Sequence, residues 1–224
     1  MKDYFFARKA MLLVSCLLFS VSAFDLVWAA EYEKKVKKDC LTDLYEAFLQ
    51  PDKEPRGEVL GFGLTRISCD HEGSGVGYEK NERRLSVDIS DNGAAAKLAG
   101  EMNVPNELGE MKRKTQKLLI DQLEKHIQAF EELQAKEPSF AAKYKEDTPP
   151  PIRRELPIGG TLYIARHPCS GEGEQCGFVE GHALIGERFW VEIQIEDHAA
   201  AQSDDAAVGA MNQVIGAVDW GKLR

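Results

Sequence analysis

The chain has 224 residues, with 37 acidic against 28 basic side chains and a formal net charge of −9 at neutral pH. This length suffices for one generous domain or two small ones, so the chain can build a core without covalent staples. The acidic balance argues against nucleic acid and against anionic membrane surfaces as main partners.

The first thirty residues are typical of a secretory signal peptide. A positive flank precedes an apolar run from Met11 to Phe24, and small residues come before the charged segment that begins at Glu31. The apolar run falls short of the roughly 20 residues that a membrane span needs, and Asp25 interrupts it. We therefore expect residues 1–29 to be removed by cleavage after Ala29, with export to the periplasm of a Gram-negative type of cell.

Two alternatives to a cleaved signal peptide stay open. The sequence Leu13-Val-Ser-Cys16 resembles a lipobox, which would give a lipidated protein, and an uncleaved segment would anchor the chain in the membrane. We expect contact with a membrane only in these two cases, so the alternative to a periplasmic location is a membrane-anchored one.

Four cysteines remain after cleavage, and an even number in an exported chain predicts two disulfides. Cys169 and Cys176 enclose the flexible stretch Ser-Gly-Glu-Gly-Glu-Gln, whose ends meet at little entropic cost, so we expect these two to pair. Cys40 and Cys69 then pair by exclusion, which connects an N-terminal helix to the first strand region.

Residues 30–55 are predicted to form this N-terminal helix, which the prolines at its end terminate. An α+β domain is expected to follow over residues 56–224. In its first half, 56–106, we predict a glycine-weakened strand over 58–69, a turn over 73–77, a hairpin up to Ser90 and a helix of small residues.

A long amphipathic helix is predicted over residues 107–137, between the two halves of the domain. Its apolar stripe includes Leu119, Leu123, Ile127 and Phe130, and its other face is rich in Lys, Glu and Gln. The stripe is long for a chain of this size, so these four residues are our candidates for partner binding. Packing inside the monomer is the alternative.

The second half, 152–224, is predicted to repeat the plan of the first: strands, a hairpin joined at Gly186-Glu187, and an alanine-rich helix. The segment from Leu85 to Asp91 matches the segment from Val191 to Asp197 in its alternation of apolar and polar residues. We therefore expect an α+β fold in which two similar βββα halves build one antiparallel sheet, with the helices packed on one face.

The second half resembles a pattern found in uncharacterised secreted bacterial proteins. The pattern comprises Gly159-Gly160 before a strand, an alternating strand over 190–196, an alanine-rich helix, and the aliphatic-Asp-aromatic-x-x-Leu ending of residues 218–223. This layout is similar to the Mog1/PsbP-like fold. The resemblance implies an antiparallel sheet with helices, and it implies no activity and no cofactor.

The most suggestive cluster of metal-ligating residue types combines His71 and His167 with the neighbouring cysteines. Two histidines near reduced thiols could bind zinc or copper, but the spacing matches no standard zinc module and an exported protein favours disulfides. The sequence contains no assembled catalytic set, so we predict no catalytic residues.

Two functions follow from these expectations. The first is an exported periplasmic binding or interaction protein without catalytic activity, whose partner is an unknown protein or a small ligand. The alternative is a metal-handling or hydrolytic periplasmic enzyme that uses the cluster of histidines and cysteines.

Overall fold

An eight-stranded antiparallel sheet is the framework of the computed structural model, which describes residues 42–50, 52–70, 73–101, 103, 105–169 and 177–223. The strands are β1 (Glu58–Val59), β2 (Phe62–Cys69), β3 (Gly73–Lys80), β4 (Arg83–Asp91), β5 (Ile152–Glu155), β6 (Thr161–His167), β7 (Phe178–Ile185) and β8 (Phe189–Ile195). The helices are α1 (Thr42–Glu46), α2 (Asn92–Glu101), α3 (Glu107–Lys136), α4 (Pro138–Asp147), α5 (His198–Ala201) and α6 (Asp204–Ala217).

The order of the strands across the sheet is β1-β2-β3-β4-β8-β7-β6-β5. Each half of the domain is thus an antiparallel meander, and the two meanders join where β4 pairs with β8, from Leu85 opposite Ile195 to Asp91 opposite Phe189. The α+β class with an antiparallel sheet is confirmed. The three-strand unit is not confirmed, because the short strands β1 and β5 give each half a fourth strand.

The central strands alternate as their sequences predict. Leu85, Val87 and Ile89 of β4 are buried, and the residues between them are only partly covered. Helix α6 packs on this core face: a Cβ atom at Gly181 would lie 2.9 Å from Met211 Cε, so glycine lets the helix approach β7 closely. Each fully buried aliphatic side chain contributes about 1.5–3 kcal/mol to stability.

Two predicted loops and turns differ in outcome. The tight turn at Gly186-Glu187 is confirmed, with positive φ at both residues as a two-residue hairpin loop requires. Residues 73–77 form the first part of β3 instead of a turn. Glycine is unfavourable in strands on average, but here its missing side chain leaves room for side chains of β2 and β4 to lie over β3.

Helices lie on both faces of the sheet, so their expected packing on one face is not confirmed. Neighbouring residues of a strand point to opposite faces. Arg153 of β5 pairs with Glu124 of α3 at 2.6 Å, whereas Arg154 donates a hydrogen bond to Asn212 of α6 at 3.1 Å. Helix α3 therefore covers the far side of the β5 edge, opposite α6.

The motif of residues 218–223 packs against the core face of the sheet. Val218, Trp220 and Leu223 are all buried, and the Trp220 indole donates a hydrogen bond of 2.7 Å to the carbonyl of Ile215. The backbone N–H of residue 219 also donates to the carbonyl of Ala47 at 2.8 Å. The spacing of the motif thus places its three apolar members in the core.

An ion pair between the buried carboxylate of Asp91 and the half-exposed Arg188 closes one end of the β4–β8 ladder. Asp91 is 3% exposed and accepts a hydrogen bond of 2.6 Å from Arg188, while its other oxygen accepts the N–H groups of Gly93 and Ala94 at the start of α2. Burial alone would raise the pKa of Asp91, but these hydrogen bonds outweigh it and lower the pKa. Asp197 caps α5 in the same way at the other end and pairs with Arg83 at 3.4 Å.

We expect the substitution Asp91→Ala to lower the free energy of unfolding by about 2–3 kcal/mol, because it removes both a helix cap and the partner of Arg188. Asp197→Ala is the matched control. It removes an equivalent cap and a more exposed ion pair, so about 1 kcal/mol is expected. Urea unfolding followed by circular dichroism measures both. Equal losses would contradict a special role for the ion pair of Asp91 with Arg188.

Candidate functional site

The face of the sheet opposite α6, here called the polar face, carries side chains that alternate with the core residues. Pairing registers place Arg66, Gly77, Ser86, Gln194 and Glu180 in one row across β2, β3, β4, β8 and β7. Guanidinium, hydroxyl, carboxamide and carboxylate groups therefore occur side by side on a single surface, and this surface is our candidate site.

A groove of about 420 Å³ lies along the first part of this row. It is lined by Thr65, Arg66, Gly77, Tyr78, Glu79, Arg84, Leu85, Ser86, Gln194 and Glu196. Gly77 leaves the floor of the groove without a side chain: a Cβ atom at this position would lie 3.2 Å from the Cβ and 3.6 Å from the Nε of Arg66. The Arg66 side chain consequently extends from β2 across the backbone of β3.

Most charged groups at the rim of the groove already have partners. Arg84 Nε lies 3.9 Å from Glu79 Oε1, and the backbone N–H of Arg84 donates a hydrogen bond of 3.0 Å to Glu196 Oε2. Next to the groove, the carboxylate of Asp88 covers Gly75. Burial raises the pKa of Asp88, and the nearby Glu192 adds to this rise, while Arg66 opposes it.

A second feature of the polar face is a carboxylate between two histidines. Glu180 Oε2 lies 3.4 Å from His167 Nε2 and 3.6 Å from His182 Nε2. Phe178 stacks on His167 and Trp190 stacks on His182. Hydrogen bonds from the two histidines lower the pKa of Glu180 to about 2 against the opposing effect of burial.

His182 is the more buried of the two histidines. Only 8% of this residue is exposed, and its Nδ1 atom is buried without a hydrogen-bond partner among the described residues. The rings of His167 and His182 are held in place by aromatic stacking and by the carboxylate of Glu180 that they share, so these residues form a rigid cluster.

The predicted metal-ligating residues are not brought together in the described part of the chain. Among the described residues His167 contacts Glu180, and His71 lies outside them. Over the ranges that the structure describes, no group of three or more His, Cys, Asp or Glu side chains is arranged to hold a metal ion. A metal site that includes His71 stays a prediction.

The cysteines are described only in part. Cys69 and Cys169 are the cysteines that fall among the described residues. Cys40 and Cys176 lie outside the described residues, so the two pairings stay predictions. Cys169 Sγ also lies 3.4 Å from His198 Nδ1, a contact that the sequence does not indicate.

The four candidate partner-binding residues lie on the middle of α3. Ile127 is 6% exposed, and Leu119, Leu123 and Phe130 are half-buried, with Phe130 stacked on Tyr144 of α4. These side chains pack within the monomer, and a role in partner binding stays a prediction. Among the described residues, no helix is both long and apolar enough to span a membrane.

A second cavity, of about 630 Å³, lies between α1 and the C-terminus. Its lining includes Arg56, Val218 and the ion pair between Glu46 and Lys222. The groove on the polar face is the better candidate because Ser86 and Gln194 lie there in one row with Arg66 and offer a ligand several kinds of polar group.

No protein-family model, no curated protein and no solved structure matches this chain. The resemblance of the second half to the Mog1/PsbP-like layout therefore stays a prediction, and the candidate site depends on its geometry alone.

We expect Glu180 to stabilise the fold in a pH-dependent manner. Its pKa in the folded protein, about 2, lies below the ordinary value near 4, so the ionised form stabilises the fold above that ordinary pKa. The stabilisation is lost as the pH falls from about 4 toward about 2. The difference in unfolding free energy between the wild type and Glu180→Gln, measured by urea titration between pH 6 and pH 2, should shrink over this range.

Glu187→Gln, in the exposed hairpin turn, is the control because Glu187 makes no ion pair among the described residues. Its difference from the wild type should stay constant over the same pH range. A Glu180→Gln difference that is equally constant would contradict the assignment.

Proposed function

We propose that the protein is an exported, periplasmic binding protein without catalytic activity, and that its ligand occupies the groove on the polar face. The groove itself carries this proposal. Among the described residues, its lining comes from strands β2, β3 and β4 and from the end of β8, and no helix contributes to it. A volume of about 420 Å³ falls in the range of small-molecule sites, which are roughly 300–1,000 Å³.

The groove also offers polar groups outside the apolar core: the Ser86 hydroxyl, which is hydrogen-bonded to Asp88, and the Gln194 carboxamide. Ser86 and Gln194 are half-buried on strands whose packing depends on the opposite, apolar face. A solvated sheet face usually carries side chains that project freely into water. Here Gly77 lowers the surface between Arg66 and Ser86, and a concave surface with convergent polar groups is typical of a ligand site.

We expect Gly77→Val to abolish binding, because the added side chain would fill the floor of the groove while a β-branched residue remains favourable in a strand. The nearest atom would be the Cβ of Arg66, at 3.2 Å, so the fold should tolerate the change after a local shift of a few tenths of an ångström and a movement of the Arg66 side chain. Native mass spectrometry of protein purified from the periplasm should show a retained small molecule in the wild type and its loss in Gly77→Val.

Gly63→Val on β2 is the matched control, since a Cβ atom there meets only the carbonyl of Glu79, at 4.0 Å. It should retain the ligand. Circular dichroism and urea unfolding establish that both variants are folded. The proposal fails if the wild type retains nothing and no member of a small-metabolite library raises its melting temperature, or if Gly77→Val binds as the wild type does.

Export and two disulfides belong to the same proposal. The signal-like residues 1–29 favour an oxidising compartment, in which cysteines form disulfides. We infer the pairs Cys40–Cys69 and Cys169–Cys176.

The natively exported protein should therefore show no free thiols under denaturing, non-reducing conditions. Peptide mapping by mass spectrometry should recover the Cys169–Cys176 and Cys40–Cys69 peptides, together with an N-terminus at Ala30. Four free thiols and a stoichiometric metal ion would instead favour the alternative, a metal-handling or hydrolytic enzyme. The contact between Cys169 and His198 is the observation that keeps this alternative open.

We also infer that the two halves are versions of one supersecondary unit. The strand order runs outward from β4 on one side and from β8 on the other. Asp91 and Asp197, which the sequence comparison aligns, each accept an N–H two residues later, at 2.8 and 2.9 Å. Each also pairs with an arginine near the start of the partner strand. These shared caps support the inference.

A further inference from the structure

We propose that the ligand of the groove is a small monocarboxylate whose carboxylate is held by the Arg66 guanidinium, with the Ser86 hydroxyl and the Gln194 carboxamide contacting the rest of the molecule. This inference rests on the proposed function, and it names the chemical class that the same groove would take.

Arg66 makes no close ion pair with another described residue, although its charge acts on the nearby carboxylate of Asp88 and opposes the rise in the pKa of that group. The other arginine, Arg84, lies near Glu79, and its main chain engages Glu196. The guanidinium presents a planar fork of donors that matches a carboxylate in a bidentate geometry. An anionic group of the ligand would therefore find its strongest partner at Arg66.

The position of Arg66 within the groove supports the same assignment. Its Nε atom lies 3.6 Å from where a Cβ atom of Gly77 would stand, so the head of the side chain is drawn over the floor. Arg66 is exposed, but because its head already lies over the floor of the groove it loses less rotamer freedom on binding an anion than an arginine that extends freely into solvent.

The size of the groove favours a small molecule over a macromolecule. Arg66 and Gln194 lie three strands apart, which corresponds to about 14 Å between their backbones. Both side chains extend into this span, and the volume of about 420 Å³ accommodates a molecule of metabolite size. A peptide with a free C-terminal carboxylate would present the same group to Arg66. The experiment must therefore distinguish a bound peptide from a bound small molecule.

The acidic rim restricts the far end of the ligand. Glu79 and Glu196 line the groove in the row next to that of Arg66 and Gln194, and Asp88 lies on the other side of that row, near Arg66. A second carboxylate on the ligand would approach these groups and be repelled. We therefore infer a ligand whose other end is neutral or cationic, as in an amino acid, instead of a dicarboxylate.

Calorimetric titration of the intact exported protein with matched probes tests this inference. The probes are the free amino acids, their carboxamides, succinate, and tripeptides with free or amidated C-termini. At least one amino acid should bind, and its carboxamide should bind at least about tenfold more weakly, because a charge-assisted bidentate contact is lost. Succinate should bind more weakly than that amino acid.

Variants assign the effect to Arg66. Arg66→Gln should weaken binding of the amino acid at least about tenfold and remove its advantage over the carboxamide, and Arg66→Lys should fall between. Arg83→Gln is the matched control, since Arg83 carries the same charge, lies on β4 and pairs with Asp197 outside the groove. It should bind as the wild type does.

The possible results separate the two proposals. If Gly77→Val abolishes retention of a ligand that Arg66→Gln still binds, the groove stands and the carboxylate inference is wrong. Equal binding of acid and carboxamide, or a retained ligand without a carboxylate, also overturns it. Tripeptides that bind where no amino acid does overturn the small-molecule assignment, and a complete failure of the acids to bind contradicts the inference directly.

Discussion

The pairing of β4 with β8 is the interaction on which the rest of the molecule depends. Seven residue pairs join two meanders there, and the same ladder supplies apolar side chains to the core face and polar side chains to the opposite face. Asp91 fixes one end of the ladder through Arg188 and caps α2 at the same time. Because a slip by one residue would exchange the two faces, the register that builds the core also determines the composition of the groove.

The strongest periodic patterns were sufficient to predict the main elements. The long helix α3 and helix α6 begin and end where the sequence indicates, and the alternation of Val191, Ile193 and Ile195 gives β8 its buried face. The strand β5 is too short to show a period, and α4 begins at Pro138, a residue that usually interrupts a helical pattern but is favourable at its first position.

The candidate site could not be predicted from the sequence, and the reason differs from that for β5 and α4. Arg66, Ser86 and Gln194 come from strands that are far apart in the chain, and only the register of three pairings brings them into one row. Glycine at residue 77 predicts a turn, because glycine is depleted in strands. In the structure Gly77 lies within β3, and the absence of a side chain there makes the surface of the sheet concave. Glu180, between Val179 and Gly181, likewise gives no local signal.

The position of the central ladder has a consequence for how the polypeptide acquires its structure. Its two strands are separated by about a hundred residues of chain, so the middle of the sheet closes only after the C-terminal half has emerged. Contacts of such long separation require a large loop to be closed before they stabilise anything, and they slow folding. Until β8 pairs with β4, one side of β4 is an open sheet edge. The incompletely folded chain can pair there with strands of other chains and is therefore prone to aggregate at this stage.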